Sequence, residues 1–597
     1  AADLFKNVKF KKMFTTNYSL MLSEPYSAII GDVSKTGAPV NYVILSEITK
    51  AFEIYKESVY AQLAYYLNKN KSEGLHSDIF TQNPEQIAKD VELIIAEKGA
   101  LKKDSLNMSG YGYMSLLENN NTEGDFSKQR DLWIYYGIGG SHGHQDALGL
   151  GMHAFGIDLM PDMGYPEYAD ATAHRTEWVT NSVSHNLVLV DGIKQDFPKI
   201  KVSKSTGYAN GELVKYFEAD ASGAAYLHTS LYRRTSAMIR IDDTNSYAVD
   251  FFRVKGGSEH SFSFHSAKGT VTTEGLELKK QDKGTLAGEN VVFGERPAND
   301  SIAGFKYNGS GYQWLKDVEK GRAPSGTFSI DWKVEDTWNV RKTPGDIHLK
   351  LTMLEKTDTV SLANGVPPRN KLGNPDLLRY VIADRVGENL SSNFTSVMEP
   401  YENQSNILSS ELASLTVDGK AYENEDIRAV KVALKNGRVD YIISSIKPDV
   451  KVMVDGLFEF SGVFGVYSKM NDQTQFSFVD KADIKDGDYF NSSETIDGEV
   501  VDFTKELSAK NYITIKTQKP ITADLKDRYI YFNSQNTNNA VYRILDVKQK
   551  SENEYILDIG DVTLISRWAN KYDFSLGFMF DIQAKDKFII PLFSEKK

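Results

Sequence analysis

Two histidines two residues apart, in Ser141-His142-Gly143-His144-Gln145-Asp146, are followed by Asp162 and then by Ser184-His185-Asn186. Half of the ten histidines lie between positions 142 and 185: His142, His144, His153, His174 and His185. Imidazole is the commonest protein ligand for Zn2+ and the usual proton carrier near neutral pH. If the chain is extended there, His142 and His144 share one side, because side chains alternate with period two. Such a pair either binds one metal jointly or divides into a ligand and a catalytic base. Asp162 sits in a turn after an apolar strand, and His185 opens the next strand, Asn186–Val190. Strands meeting at one edge would gather His144, Asp162 and His185 into an N2O set with a fourth position for water or another group. The bland alternative is three polar residues, separately hydrogen-bonded at strand ends. The density of the cluster favours the metal.

The other histidines divide. His153 lies within an alternating apolar strand and reads as a satisfied core histidine. His174 and Arg175 either face an anionic ligand or form a loop charge pair. His260 and His265 are five apart in a strand-like run, so they point to opposite faces and at most one reaches the site.

These residues need elements to position them. Ile44 to Leu67 carries apolar residues at spacings of three and four, which predicts one helix packed on neighbours. A second helix starts at Asn83-Pro84-Glu85-Gln86, with Asn as N-cap, Pro at the first position and Gln closing a capping box, and Gly99 ends it. Two or three helices cannot close a helical domain, so the first hundred residues read as the last part of one. Beyond Met108 the period becomes two. Strands are predicted at Tyr111–Leu116, Leu132–Tyr136, Leu148–Ala154, Ala237–Ile241, Tyr247–Val254, Ile347–Met353, Phe394–Glu399, Ala429–Leu434 and Val439–Ser444. That density indicates stacked antiparallel sheets. A polar run at Lys485-Asp486-Gly487-Asp488 suggests a boundary, followed by a small all-β module with strands at Tyr512–Lys516, Tyr529–Asn533, Val541–Val547 and Tyr555–Ile559.

Composition bounds the function. A chain of 597 residues exceeds one core. The absence of Cys excludes disulfides and thiolate metal sites, leaving His and carboxylate as ligands. A net charge of −12 argues against nucleic acid as a partner. No run suits a membrane span or a signal peptide. The 32 Tyr and 30 Phe suit a β-rich protein that handles carbohydrate, although strand filling explains most of them.

The run from Gly139 to Leu148, then Asp162-Met163-Gly164, then Ser184-His185-Asn186 with Asp191-Gly192, resembles the heparinase II/III-like polysaccharide lyases. The resemblance covers roughly residues 1 to 470 and is specific for the family rather than the substrate. It implies an α+β multidomain chain: the C-terminal part of an (α/α) toroid at 1–106, a large antiparallel β-sandwich at 107–485, and a C-terminal β module at 486–597. It also implies β-elimination on a uronate polysaccharide, either a glycosaminoglycan such as heparan sulfate or a chondroitin type, or alginate. By position, His142 resembles the active-site histidine, while His144, Asp162 and His185 resemble the ligands of a largely structural Zn2+. Tyr168 is a candidate second catalytic tyrosine, and His174 and Arg175 are candidate substrate contacts. The family's toroid tyrosine and carboxylate neutraliser lie further upstream than this chain reaches. Asn17-Tyr18 is the only early pair of suitable chemistry, so an N-terminal toroid segment is expected outside the chain. Such an enzyme would be secreted, periplasmic or on the surface of a bacterium. Two alternatives stand beside it: a cupin-like metal enzyme, and a non-catalytic glycan-binding portion with structural zinc.

Overall fold

The computed structural model describes residues 3–597 apart from 34, 102, 119–127, 138–141, 166–171, 198–200, 299, 301–303, 370 and 533–538. Four helices come first: α1 (Val8–Ser19), α2 (Leu45–Tyr55), α3 (Ser58–Leu67) and α4 (Pro84–Lys98). The single helix expected over Ile44–Leu67 is therefore two. Lys56 takes a left-handed conformation (φ 53°) and returns its N–H to the Phe52 carbonyl, which ends α2. Apolar spacing is blind to this break, because Phe52, Tyr60, Leu63 and Ala64 still converge on one core. The start of α4 is as expected, with the Asn83 side chain accepting from the Gln86 N–H. The Gln86 amide, however, donates to Asp90 rather than turning back to close a capping box. Among the described residues no helix is long and apolar enough to cross a membrane.

A five-stranded antiparallel meander follows: β1 (Leu106–Met108), β2 (Tyr113–Glu118), β3 (Arg130–Tyr135), β4 (Gly149–Ala154) and β5 (Ile157–Asp158). Its alternation serves two partners. Tyr113, Leu117, Trp133 and Tyr135 pack with Leu22 and Ala28 of the helical segment, while Met114, Leu116, Leu132 and Ile134 join the main core. This sheet is thus the joint between the helices and everything after it.

The main body is layered. β6 (Leu187–Val190), β7 (Lys204–Asn210), β8 (Val214–Asp220), β9 (Leu231–Arg240), β10 (Ser246–Lys255) and β11 (Glu259–His265) divide between two sheets. An eight-stranded sheet contains β7 to β10 with Gly269–Glu274, Phe328–Val334, Ile347–Met353 and Ser391–Glu402. A six-stranded sheet contains β6 and β11 with Glu277–Lys280, Leu315–Arg322, Thr359–Gly365 and Leu378–Val386. Phe262, Phe264, Trp332, Val381 and Phe394 fill the space between them. The opposite face of the eight-stranded sheet is covered too, with Tyr247, Val249 and Phe251 meeting Val430, Ile442, Phe464 and Val466 of a third sheet. A central sheet buried on both faces explains why all of β10 but Lys255 is buried, Asp250 and Arg253 included.

The polar run at Lys485–Asp488 is a hairpin turn between paired strands Gln473–Asp486 and Tyr489–Ser492. A seven-stranded sheet with its own core, including Ile513, Ile515, Leu557 and Ile590, comes next. Its Val541–Val547 segment is two strands, Val541–Arg543 and Asp546–Gln549, rather than one. The last strand, Ser594–Lys596, returns to pair with Gln473–Asp486.

Candidate metal centre and active site

The edge where β4, β5 and β6 meet holds the histidine cluster. His144 lies on the approach to β4, Asp162 in the loop after β5, and His185 just before β6. His144 Nδ1 and His185 Nε2 are 3.0 Å apart, and Asp162 Oδ1 stands 3.4 Å from the first and 3.0 Å from the second. Four ligands about 2.0–2.1 Å from a tetrahedral ion are separated by about 3.3 Å, so this triangle has the dimensions of three ligands.

The outer hydrogen bonds decide which nitrogens are available. His185 Nδ1 donates to the Asn181 carbonyl at 2.8 Å, and His144 Nε2 reaches Asp32 Oδ1 at 3.4 Å. With those positions protonated, the two facing nitrogens both present lone pairs, an arrangement that repels unless a proton or a cation sits between them. The donors thus fit a metal held by His144, Asp162 and His185. Burial alone would lower the His144 pKa, but Asp162 and Asp32 raise it to about 10, so without a cation a proton occupies that place. Asp162 is buried, which opposes ionisation, yet His144 and His185 hold its carboxyl well below the usual range.

The ligand loops are fastened from beneath. Gln145 donates its N–H to Thr180 and accepts from Ser182 Oγ. Both polar backbone groups of Ala147 pair with the Gln195 amide. Arg234, fully buried, donates to the carbonyls of Leu148 (2.7 Å) and Asn186 (2.5 Å) while gripping Asp250 through two bonds of 2.9 Å. One guanidinium therefore ties the segment carrying His144 to the segment carrying His185.

His142 departs from the extended geometry expected of it. It sits in a turn at φ 65°, and its side chain is 67 % exposed where that of His144 is fully buried. The pair is divided: His142 Nδ1 is 3.1 Å from Asp32 Oδ2, and His142 is not among the clustered donors. A cupin-like site would need both histidines on one ion. Arg175 Nη2 binds the same Asp32 oxygen at 2.6 Å, so its charge is paired with a residue far upstream. Burial would raise the Asp32 pKa, but His144 and Arg175 hold it below the ordinary value. His174 stands apart from this group, with Nε2 bonded to the Val366 carbonyl and its ring edge-on to Trp314. Tyr168 lies outside the described residues. Asn17 donates to the Tyr42 carbonyl, and Tyr18 packs against Tyr66 and Lys103 rather than joining the cluster.

His153 is a buried core histidine only half satisfied, with Nδ1 2.9 Å from Asp131 and Nε2 without a hydrogen-bond partner. His265 lines a cavity beside Asp162 and His185, whereas His260 on the other face bonds Ser392. Sequence reading missed Asp32 altogether. Its one local signal is Gly31, whose φ of 82° and contact with His142 (an added Cβ would stand 2.3 Å from that carbonyl) permit the close approach.

Residues 135–333 match the family model described as Heparinase II/III-like, C-terminal. No curated protein matches the chain. Among solved structures it is similar to one titled "Heparinase III-BT4657 gene product", with 12% identity, a TM-score of 0.44, and coverage of 73% of this chain and 52% of that one. It is also similar to heparan sulfate lyase HepC from Pedobacter heparinus, with 12% identity, a TM-score of 0.42, and coverage of 73% and 53%. The chain spans about half the length of these structures.

Proposed function

We propose that the chain belongs to a polysaccharide lyase that cleaves uronate-containing glycans by β-elimination, a reading supported by the match of residues 135–333 to the heparinase II/III-like C-terminal model. Residues 1–106 are then the last part of an (α/α) toroid, 107–485 the sandwich and 486–597 an appended β module. The substrate class is an anionic polysaccharide, with heparan-sulfate-type glycosaminoglycan first and alginate second, met outside the bacterial cytoplasm because the polymer is too large to enter. The observation that carries this reading is the exposed His142 imidazole hydrogen-bonded to buried Asp32 directly beside the ligand set.

β-Elimination needs a proton removed from C5 of the uronate, a carboxylate kept tolerable as charge develops, and a proton for the departing O4. His142 can serve proton transfer through Nε2, since Asp32 accepts from Nδ1–H and fixes the tautomer. Arg175 supplies positive charge on the same side, tempered by its bond to Asp32. A bound zinc would hold the ligand loops together and keep the wall that carries His142 in place.

Incubating the full natural polypeptide with a panel of uronate polysaccharides, and following ultraviolet absorbance of the unsaturated product, tests the reading. His142→Ala is expected to abolish that signal while leaving bound zinc unchanged. Absence of product from every substrate would sink the lyase assignment and leave a glycan-binding portion in its place.

A further inference from the structure

Beside the three donors stands a fourth group that the proposed reaction does not use. The Asp146 residue is 5 % exposed, and one of its carboxyl oxygens has no hydrogen-bond partner. An unpartnered carboxylate out of water is costly, and native structures rarely keep one without a reason. Donor atoms of His144, Asp146, Asp162 and His185 all lie within 4.8 Å of one another. Asp146, Asp162, His185 and His265 also line one cavity of about 20 Å3, enough for a single occupant the size of a water. The loop is held rigidly at this point, since the backbone on both sides of Asp146 is bonded to Ser182, Gln195 and Arg234.

Two occupants would relieve Asp146. A proton on its carboxyl makes it a neutral acid, but the facing imidazoles then need a second proton between them. A divalent cation relieves both at once. Charge points the same way: two neutral imidazoles, two carboxylates and one divalent ion sum to zero, whereas one carboxylate would leave a buried net positive charge. Asp32 does not supply the balance, because Arg175 already neutralises it. We infer that Asp146 is the fourth protein donor of the metal centre, closing an N2O2 set with His144, Asp162 and His185. This rests on the metal reading above. A set closed by four side chains leaves no coordination position for substrate, so the ion is architectural and proton transfer falls to His142.

The test is Zn2+ titration of the chelator-stripped chain, with Asp146→Asn as a near-isosteric variant and Co2+ as a spectroscopic probe. The wild type should bind one zinc. The variant should bind at least about tenfold more weakly, with a changed visible Co2+ spectrum. Equal affinity and identical spectra would overturn the inference while leaving the metal reading intact. No zinc binding by the wild type would overturn both. Should Asp146→Asn fail to fold, a crystal structure of the zinc-loaded wild type decides: an Asp146 oxygen about 2.0–2.2 Å from the ion is expected, and a water in that place rejects it.

Discussion

Asp32 has two carboxylate oxygens and three partners, and the division of labour among them is the most specific feature of the site. One oxygen takes His144, and the other takes both His142 and Arg175. Replacing it with Asn removes the charge that compensates Arg175 and turns one acceptor into a donor. Asp32→Asn should lower the unfolding free energy by about 3–5 kcal/mol, read from urea titration, because a buried ion pair loses one member. The carboxyl is held below its ordinary value in the fold, so its contribution is present above the unfolded pKa and fades as pH falls through the folded one. The variant should therefore show a flatter acid limb of stability. None of this was legible beforehand. A lone Gly31-Asp32 reads as a turn, and its partners lie more than a hundred residues away.

At the scale of elements, the ends of β4 and β6 matter less than the clamp beneath them. Arg234 on β9 and Asp250 on β10 lie diagonally across the strand pair, fully buried and bonded to each other, and Arg234 Nη1 donates to the backbone of both ligand loops. Arg234→Met should cost about 3–5 kcal/mol, since it leaves Asp250 charged without its cation and takes a donor from each of two buried carbonyls. Adding Asp250→Leu should restore part of that loss, and denaturant titration of the single and double variants measures both. The strands themselves were largely readable. Ile347–Met353 is predicted and observed with identical ends, because its alternate residues are buried between sheets and the others are not. The break at Lys56 was not readable, because the apolar spacing continues across it.

For the whole molecule, a buried lysine, Lys103, sits at the joint between helices and sheets. Lys103 Nζ donates to the Tyr18 carbonyl at 2.7 Å over the Tyr18 ring, and burial brings its pKa down to about 7 from an ordinary 10.5. Between those values the unfolded chain binds a proton that the folded chain does not. Stability should therefore rise with pH across that window, and Lys103→Met should remove the slope, as unfolding titrations at its two ends would show. The sequence by itself determined the succession of helices by strands, the place of the histidine cluster and the match of residues 135–333 to one family model. Local periodicity and fixed spacing carry that information along the chain. Only the tertiary structure decided that His142 turns outward while His144 turns in, that Asp32 joins them, and that one Asp146 carboxyl oxygen is left without a hydrogen-bond partner. Those facts depend on which side chains meet across long separations, and packing sets that.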